Sequence, residues 1–179
     1  MPQSTVAGHP LHPMLVVAPA ALLPFGLIMD AMHHATGKQS YADAAFYSLM
    51  GGLLGGVAAG TAGAMDYLTI ERQTKVKRTA NVHAVLNTGA LAVTAANVAA
   101  RRRSPTHQGG SIWLSALAAA GVMVSGWFGA RLVYEQGMRV QGVNPVAQAP
   151  EIKVPAEDEM EHLLHHFEKP MPSTGPVLH

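Results

Sequence analysis

The chain has 179 residues, of which 49% are hydrophobic and only 13% are charged, with a formal net charge of +1 and no cysteine. Because soluble domains carry about 25% charged residues, this composition argues against a soluble globular protein and favours one that contacts lipid. The absence of cysteine excludes disulfides, thiolate metal sites, cysteine-ligated iron-sulfur clusters and covalently attached c-type haem within the chain.

The first element is a Gly-His-Pro-Leu-His-Pro hexapeptide at residues 8–13. Proline lacks a backbone donor and pushes the preceding residue toward extended geometry. His9 and His12 are therefore predicted to lie in a stiff, non-helical segment, with Pro13 at the first position of a helix. The two imidazoles fit a ligand or proton-handling site at a membrane surface, or a rigid helix start whose histidines cap backbone groups.

Four runs with few charges follow, and each is long enough to cross a hydrocarbon core of about 30 Å as a helix. They predict membrane spans at about 13–32, 43–66, 79–100 and 110–134. Residues 1–143 are thus expected to form one all-α, four-helix integral membrane bundle. The three later runs argue against a secretory signal followed by a soluble chain.

Proline and small residues mark the helix surfaces. Pro19 and Pro24 are expected to bend span 1. Small residues recur at four-residue spacing on spans 2 and 4, which predicts close helix packing, with a cleft for a flat cofactor as the alternative. The residues concerned are Gly51, Gly52, Gly55, Gly56, Gly60 and Gly63 on span 2 and Gly121, Ser125 and Gly129 on span 4.

Span 3 carries a polar stripe made of His83, Asn87, Thr94 and Asn97. Asparagine and threonine are sufficient for hydrogen bonds between helices. An ionisable group at membrane depth is costly, however, and usually faces the bundle interior or a cavity. His83, which lies about one turn inside the predicted span, therefore shifts the interpretation of this stripe toward a site.

Residues 144–179 are predicted to form an extramembrane tail that is rich in proline and then acidic. A short amphipathic helix is expected at 156–169, where apolar residues recur at helical spacing among acidic ones. His162 and His166 lie four residues apart on this helix. Without a third ligand, we interpret it as a solvent-facing helix that docks on a partner or on the bundle, followed by a flexible or partner-bound end.

Four antiparallel crossings sort the polar residues onto two membrane faces, here called face A and face B. Face A receives the hexapeptide, Asp66, His83, Arg131 and Tyr134, and face B receives Asp30, His33, His34, Arg101, Arg102, Arg103 and His107. The face B histidines are interpreted as exposed loop residues. Face A carries more lysine and arginine near the membrane, so the positive-inside rule favours a cytoplasmic face A, with both chain ends on that side.

Three arrangements fit the residues of face A. The first is a b-type haem with His83 and either His12 or His9 as axial ligands. Arg131, or the basic residues of the second loop, would pair its propionates. The second is a bare zinc, iron or copper ion, whose ligands would be His9, His12, His83 and Asp66. The third has no cofactor, and Asp66 accepts hydrogen bonds from His12 or His83 to pin three chain segments together.

Four segments are more distinctive in combination than singly: GHPLHPMLVV at the start, GAMDY at the end of the second span, KRTANVHAVLN around His83, and WFGARLVYEQGMRV at the end of span 4. Together they resemble the bacterial membrane family known as domain of unknown function 2231, over about residues 8–143. The resemblance implies a four-span bacterial membrane module. It also implies that the motif positions of the family are matched by Gly8, His9, Pro10, His12, Pro13, Asp66 and His83.

Some members of that family are joined to Rieske-type iron-sulfur domains, which implies a redox setting. Because this chain has no cysteine, any Rieske or other redox centre of that kind is expected on a separate partner. The leading hypothesis is therefore a small membrane subunit of a bacterial redox or respiratory assembly that binds haem b near face A for electron transfer.

Two other functions compete with this hypothesis. One is a cofactor-free structural or assembly subunit that contacts its partner through the acidic tail, and the other is a His/Asp metal-binding membrane protein. We do not expect an enzyme by itself, since no serine or cysteine nucleophile has an evident base partner. The expected partners are the lipid bilayer of the bacterial inner membrane and other membrane or redox subunits or further copies of the chain, and not nucleic acid.

Overall fold

The structure, a computed structural model, describes residues 5–6, 9–104, 106 and 110–138 of the chain. Two short antiparallel strands, β1 (Thr5–Val6) and β2 (His9–Pro10), come first. The described residues then form five helices, which are α1 (Leu11–Leu15), α2 (Val17–Thr36), α3 (Gln39–Tyr67), α4 (Lys75–Arg102) and α5 (Ile112–Tyr134).

In the described part of the chain, four segments are long and apolar enough to cross a membrane, namely α1 and α2 together, α3, α4 and α5. The predicted all-α fold with four membrane helices is therefore confirmed. The predicted amphipathic helix at 156–169, with His162 and His166, lies outside the described residues together with the tail, and so do Gly8 and His107.

The first helix begins earlier than predicted, and the expectation that His12 is non-helical is wrong. Helix α1 starts at Leu11, so His12 lies in its first turn while His9 stays in β2. Pro13 is tolerated there because the first four N–H groups of a helix have no intrahelical partner. The helix is then interrupted at Val16. Pro19 has no N–H for the carbonyl of Leu15, which explains why the break falls one turn before it.

The helix ends also follow local chemistry. Ser111 caps α5 by accepting a hydrogen bond from the N–H of Trp113 at 3.3 Å. Helix α2 runs on to Thr36 and ends where Gly37 takes a left-handed conformation with φ of 67°. His33 and His34 consequently belong to the last turn of α2, and their interpretation as loop residues is corrected.

The four long helices form a closed ring of neighbours in which α2 packs against α3 and α5, and α4 packs against the same two helices. Helix α1 packs against α3. A core cluster of Leu23, Phe46, Leu49 and Val98 lies among α2, α3 and α4. This arrangement brings the start of α1, the end of α3, the start of α4 and the end of α5 to one end of the bundle.

Small residues permit the close packing that their spacing predicts. A Cβ atom added to Gly52 would lie 2.5 Å from the side chain of Leu23, and one added to Gly56 would overlap the side chain of Leu91. Gly121 lies against Ala90 in the same way, at 3.3 Å. A Cβ added to Gly60 would meet no atom of another described segment within 4 Å, so this glycine is not needed for the packing.

Candidate functional site

The imidazole rings of His12 and His83 meet at the face A end of the bundle. Their centroids lie 6.1 Å apart and their planes are nearly perpendicular, at 89°. His12 comes from α1 and His83 from the third turn of α4, 71 residues further along the chain. The structure therefore joins one histidine of the hexapeptide to the histidine of span 3.

The His12 ring is held by the backbone of α3. Its Nδ1 lies 2.8 Å from the carbonyl oxygen of Ala59. A carbonyl can only accept, so Nδ1 carries the proton and the lone pair is on Nε2. The ring packs directly on Gly63, where an added Cβ would lie 2.8 Å from Nδ1. Absence of a side chain at Gly63 is thus required for the observed position of His12.

The His83 ring is held in a matching way by α5. Its Nδ1 lies 2.8 Å from the carbonyl oxygen of Ser125 and 3.0 Å from the Ser125 hydroxyl. A Cβ added to Gly129 would lie 3.0 Å from Cε1 of the ring. Each imidazole is therefore oriented by a backbone carbonyl of a neighbouring helix and rests on a glycine.

The other ring nitrogen of His83, Nε2, is hydrogen-bonded to the side chain of Asn87. Its Nδ2 lies 3.1 Å from Nε2 of His83 and also donates to the His83 carbonyl at 2.9 Å. Because that carbonyl can only accept, the amide nitrogen of Asn87 faces the ring. His83 is therefore a neutral imidazole with a hydrogen bond at both nitrogens.

The other predicted site residues of face A are not gathered around this pair as a metal cluster. His9 is exposed in β2, and Asp66 is buried near the end of α3. Arg131 contacts Glu135 at 2.7 Å and lies 5.3 Å from the Trp127 ring. Within the part of the chain that the structure describes, no group of three or more His, Asp or Glu side chains could hold a metal ion.

A second polar cluster lies at face B, and the sequence reasoning missed it. Asp30 and Arg101 form an ion pair at 2.7 Å, with side chains only 5% and 4% exposed. Ser115 donates to the same carboxylate oxygen at 2.5 Å. Asn97 bonds to Ser115 at 2.8 Å and accepts from the backbone N–H of Ser111 at 2.9 Å. The cluster thus links α2, α4 and α5.

Two features of the sequence could have identified this cluster. Arg101 lies four residues after Asn97, on the same stripe of α4 as Thr94 and His83, so it continues the polar stripe into the interior. Asp30 lies inside the first apolar segment rather than after it. An acid and a base at the same depth of neighbouring membrane helices indicate a pair.

A pocket of about 380 Å³ opens beside the ion pair. Its lining includes Asp30, His33, His34, Arg101 and Ser111. The pocket belongs to the face B end of the bundle and is separate from the His12 and His83 pair.

The polar stripe of α4 is not continuous between the two ends. Thr94 is fully buried and donates to the Ala90 carbonyl at 2.7 Å. Between Asn87 and Thr94 the stripe is formed by Ala90, which is 5% exposed and lies against Gly121. The polar clusters of face A and face B are therefore two separate sites.

One protein family matches this chain. Its description is Predicted membrane protein (DUF2231), and the match covers residues 8–142, which include His12, His83, Asp30 and Arg101. No curated protein and no solved structure shows a significant match.

Proposed function

The chain belongs to the DUF2231 family of predicted membrane proteins, and we propose that it is a small membrane subunit of a bacterial redox assembly in which His12 and His83 hold haem b. The supporting observation is the close, nearly perpendicular pair of imidazoles from two different segments, each oriented by a backbone carbonyl. In this proposal the haem supplies a one-electron relay near face A, and the centre that exchanges electrons with it belongs to a partner subunit.

The orientation of the two rings supports ligation. Metal-bound histidines usually donate their other ring N–H to a carbonyl or carboxylate, which fixes the tautomer and aims the remaining nitrogen. Both His12 and His83 make that bond through Nδ1, to Ala59 and Ser125. Nε2 is then the nitrogen available to iron on each ring.

The spacing of the rings is also suitable. Two imidazoles that bound one ion through ring nitrogens at about 2 Å would have centroids at most about 6 Å apart. The observed separation is 6.1 Å. Gly63 and Gly129, which lie against the rings, leave the helix surfaces beside them without side chains.

Binding would require two local exchanges. Asn87 would release Nε2 of His83 while it keeps its bond to the His83 carbonyl. Arg131 would exchange Glu135 for a propionate, and this costs little because the Glu135 side chain is 59% exposed and exposed ion pairs contribute about 0–1 kcal/mol. A bare metal ion is the alternative occupant, and His9 and Asp66 would have to move toward His12 and His83 to join them as ligands, because the described side chains do not form a metal cluster.

A second function is favoured by a different observation. Both nitrogens of His83 are already satisfied, by Ser125 and Asn87. In a cofactor-free structural subunit, His12 would tie α1 to α3 and His83 would tie α4 to α5. This arrangement needs no ligand and no rearrangement.

The test is spectroscopy and metal analysis of the full chain, purified in detergent from bacterial membranes with adequate haem supply. The redox proposal expects a Soret band that shifts on reduction, with haem in a fixed ratio to protein. Stoichiometric zinc, iron or copper without haem would identify the metal-ion alternative. If neither haem nor metal accompanies the folded protein, the ligand proposals are wrong and the structural function stands.

A further inference from the structure

The pocket at face B contains polar atoms that lack partners although their side chains are almost fully buried. Asp30 uses Oδ2 for both Arg101 and Ser115, and Arg101 uses Nη2 for Asp30 and Nε for Asn97. Asp30 Oδ1 and Arg101 Nη1 have no hydrogen bond within the described part of the chain. Both residues line the pocket.

Asp30 Oδ1 and Arg101 Nη1 need opposite kinds of hydrogen-bond partner. A carboxylate oxygen accepts hydrogen bonds, and a guanidinium nitrogen donates them. Neither atom is closed off from solvent, so water can satisfy both, and a ligand that replaces this water must reproduce its hydrogen bonds. That ligand must present an acceptor oxygen to Arg101 and an O–H donor to Asp30.

The surroundings of the pocket favour an anion. Gly110 and Ser111, which directly precede α5, line it, so the positive end of that 23-residue helix faces the pocket. His33 and His34 are at its edge. Lys38, Arg102 and Arg103 are exposed at the same end of the bundle and add positive charge, against one further carboxylate at Asp43.

We propose that this pocket binds a protonated phosphate group, either inorganic phosphate or the phosphomonoester headgroup of a lipid. Arg101 and the start of α5 bind the unprotonated oxygens, and Asp30 accepts the remaining P–O–H. Guanidinium groups match phosphate oxygens in charge and geometry. This inference does not depend on the haem proposal, because its residues are those of face B.

Because Asp30 accepts a hydrogen bond from a P–O–H group, the pocket distinguishes protonated phosphate from anions without such a proton. Sulfate has the size and shape of phosphate but carries no proton near neutral pH, so it has nothing to donate to Asp30. A phosphodiester lipid likewise has no P–O–H. The pocket is therefore selective for phosphate over sulfate and for phosphatidic acid over phosphatidylglycerol.

The first experiment is calorimetric titration of the detergent-purified full chain at pH 6, close to the second pKa of about 6 of a phosphate monoester. Inorganic phosphate and sulfate are the two ligands, in phosphate-free buffer. We expect phosphate to bind at least about tenfold more tightly, since a hydrogen bond to a charged group is worth that much.

A lipid experiment distinguishes the two sources of the group. The chain is placed in nanodiscs that contain either phosphatidic acid or phosphatidylglycerol, and retention of each lipid is measured by mass spectrometry. Retention of phosphatidic acid without binding of inorganic phosphate identifies the lipid headgroup, and the opposite result identifies the free anion. Binding of neither, or equal binding of sulfate and phosphate, overturns the proposal.

Substitutions of the residues that line the pocket test whether phosphate binds there. Asp30→Asn replaces the acceptor at Oδ1 by a donor and should abolish the preference for phosphate over sulfate. If that variant does not fold, the His33→Ala and His34→Ala double variant, which leaves the ion pair intact, should weaken phosphate binding at least about threefold. His9→Ala, an exposed histidine of face A, is the control. Phosphate binding that is equal in the double variant and in the control contradicts the assignment to this pocket.

Discussion

Asn87 donates to Nε2 of His83 at 3.1 Å from one turn further along α4. The same nitrogen would have to bind iron if His83 were an axial ligand. If His83 binds a ligand, the Asn87 side chain competes with it for Nε2. If His83 is structural, the same side chain stabilises the fold.

Asn87→Leu removes this bond and leaves Nε2 free. If His83 binds haem, the haem content of purified protein should be unchanged or higher, because the competing donor is gone. In protein without haem, the melting temperature should fall, since a half-buried nitrogen left without its partner loses a hydrogen bond worth about 1 kcal/mol. Absorbance and thermal unfolding followed by circular dichroism give the two values. Loss of haem from a stably inserted Asn87→Leu protein would contradict a competing role for the amide.

His12→Ala and His83→Ala should each lower haem content at least tenfold if both rings are axial ligands. His34→Ala, an exposed histidine in the last turn of α2, is the matched control and should retain haem. The decisive measurement is rescue by free imidazole. Restoration of the Soret band in His83→Ala supports ligation, because a histidine that only holds helices together would not be replaced by imidazole in solution.

Gly63→Ala and Gly129→Ala should disturb the histidine pair through contact alone. The new Cβ would lie 2.8 Å from Nδ1 of His12 in the first variant and 3.0 Å from Cε1 of His83 in the second. Both variants should therefore unfold at a lower temperature. In Gly60→Ala the new Cβ has no neighbour within 4 Å, so this variant should be as stable as the wild type or gain up to about 1 kcal/mol from helix propensity. Equal stability of all three variants would be evidence against the described packing.

The buried ion pair at face B should show strong coupling. Asp30→Asn or Arg101→Met alone leaves one charged or polar partner uncompensated inside the bundle, which costs about 3–5 kcal/mol in buried pairs. The double variant should lose much less than the sum of the two single losses. Arg102→Met, one residue further along and exposed, should have little effect. Additive losses in thermal unfolding would show that the two side chains do not interact.

The sequence was sufficient for the fold because charge-free runs of membrane length and small-residue spacing are local patterns. It was also sufficient to select His83, since a histidine at membrane depth stands out against apolar neighbours. The orientation of the His83 ring could not be predicted from the sequence. Its hydrogen-bond partner, the carbonyl of Ser125, lies 42 positions away, and every residue has a carbonyl. Which carbonyl is used depends on how α4 and α5 are rotated against each other.

The start of α1 was mispredicted and the Asp30–Arg101 pair was missed, for different reasons. Two His-Pro pairs favour extended geometry locally, but the first turn of a helix has no N–H to lose at Pro13. Arg101 lies in a run of three arginines that resembles a loop. Only its position one turn after Asn97 places it in the interior, where Asp30 neutralises its charge.

The contact between Ala90 and Gly121 has an electrical consequence. It inserts about two helical turns of apolar packing, or about 10 Å, between the hydrogen-bonded groups of the two ends. Protons move along chains of hydrogen bonds, and the methyl side chain of Ala90 offers neither a donor nor an acceptor to continue one. The α4 stripe therefore provides no continuous proton path between the two ends of the bundle.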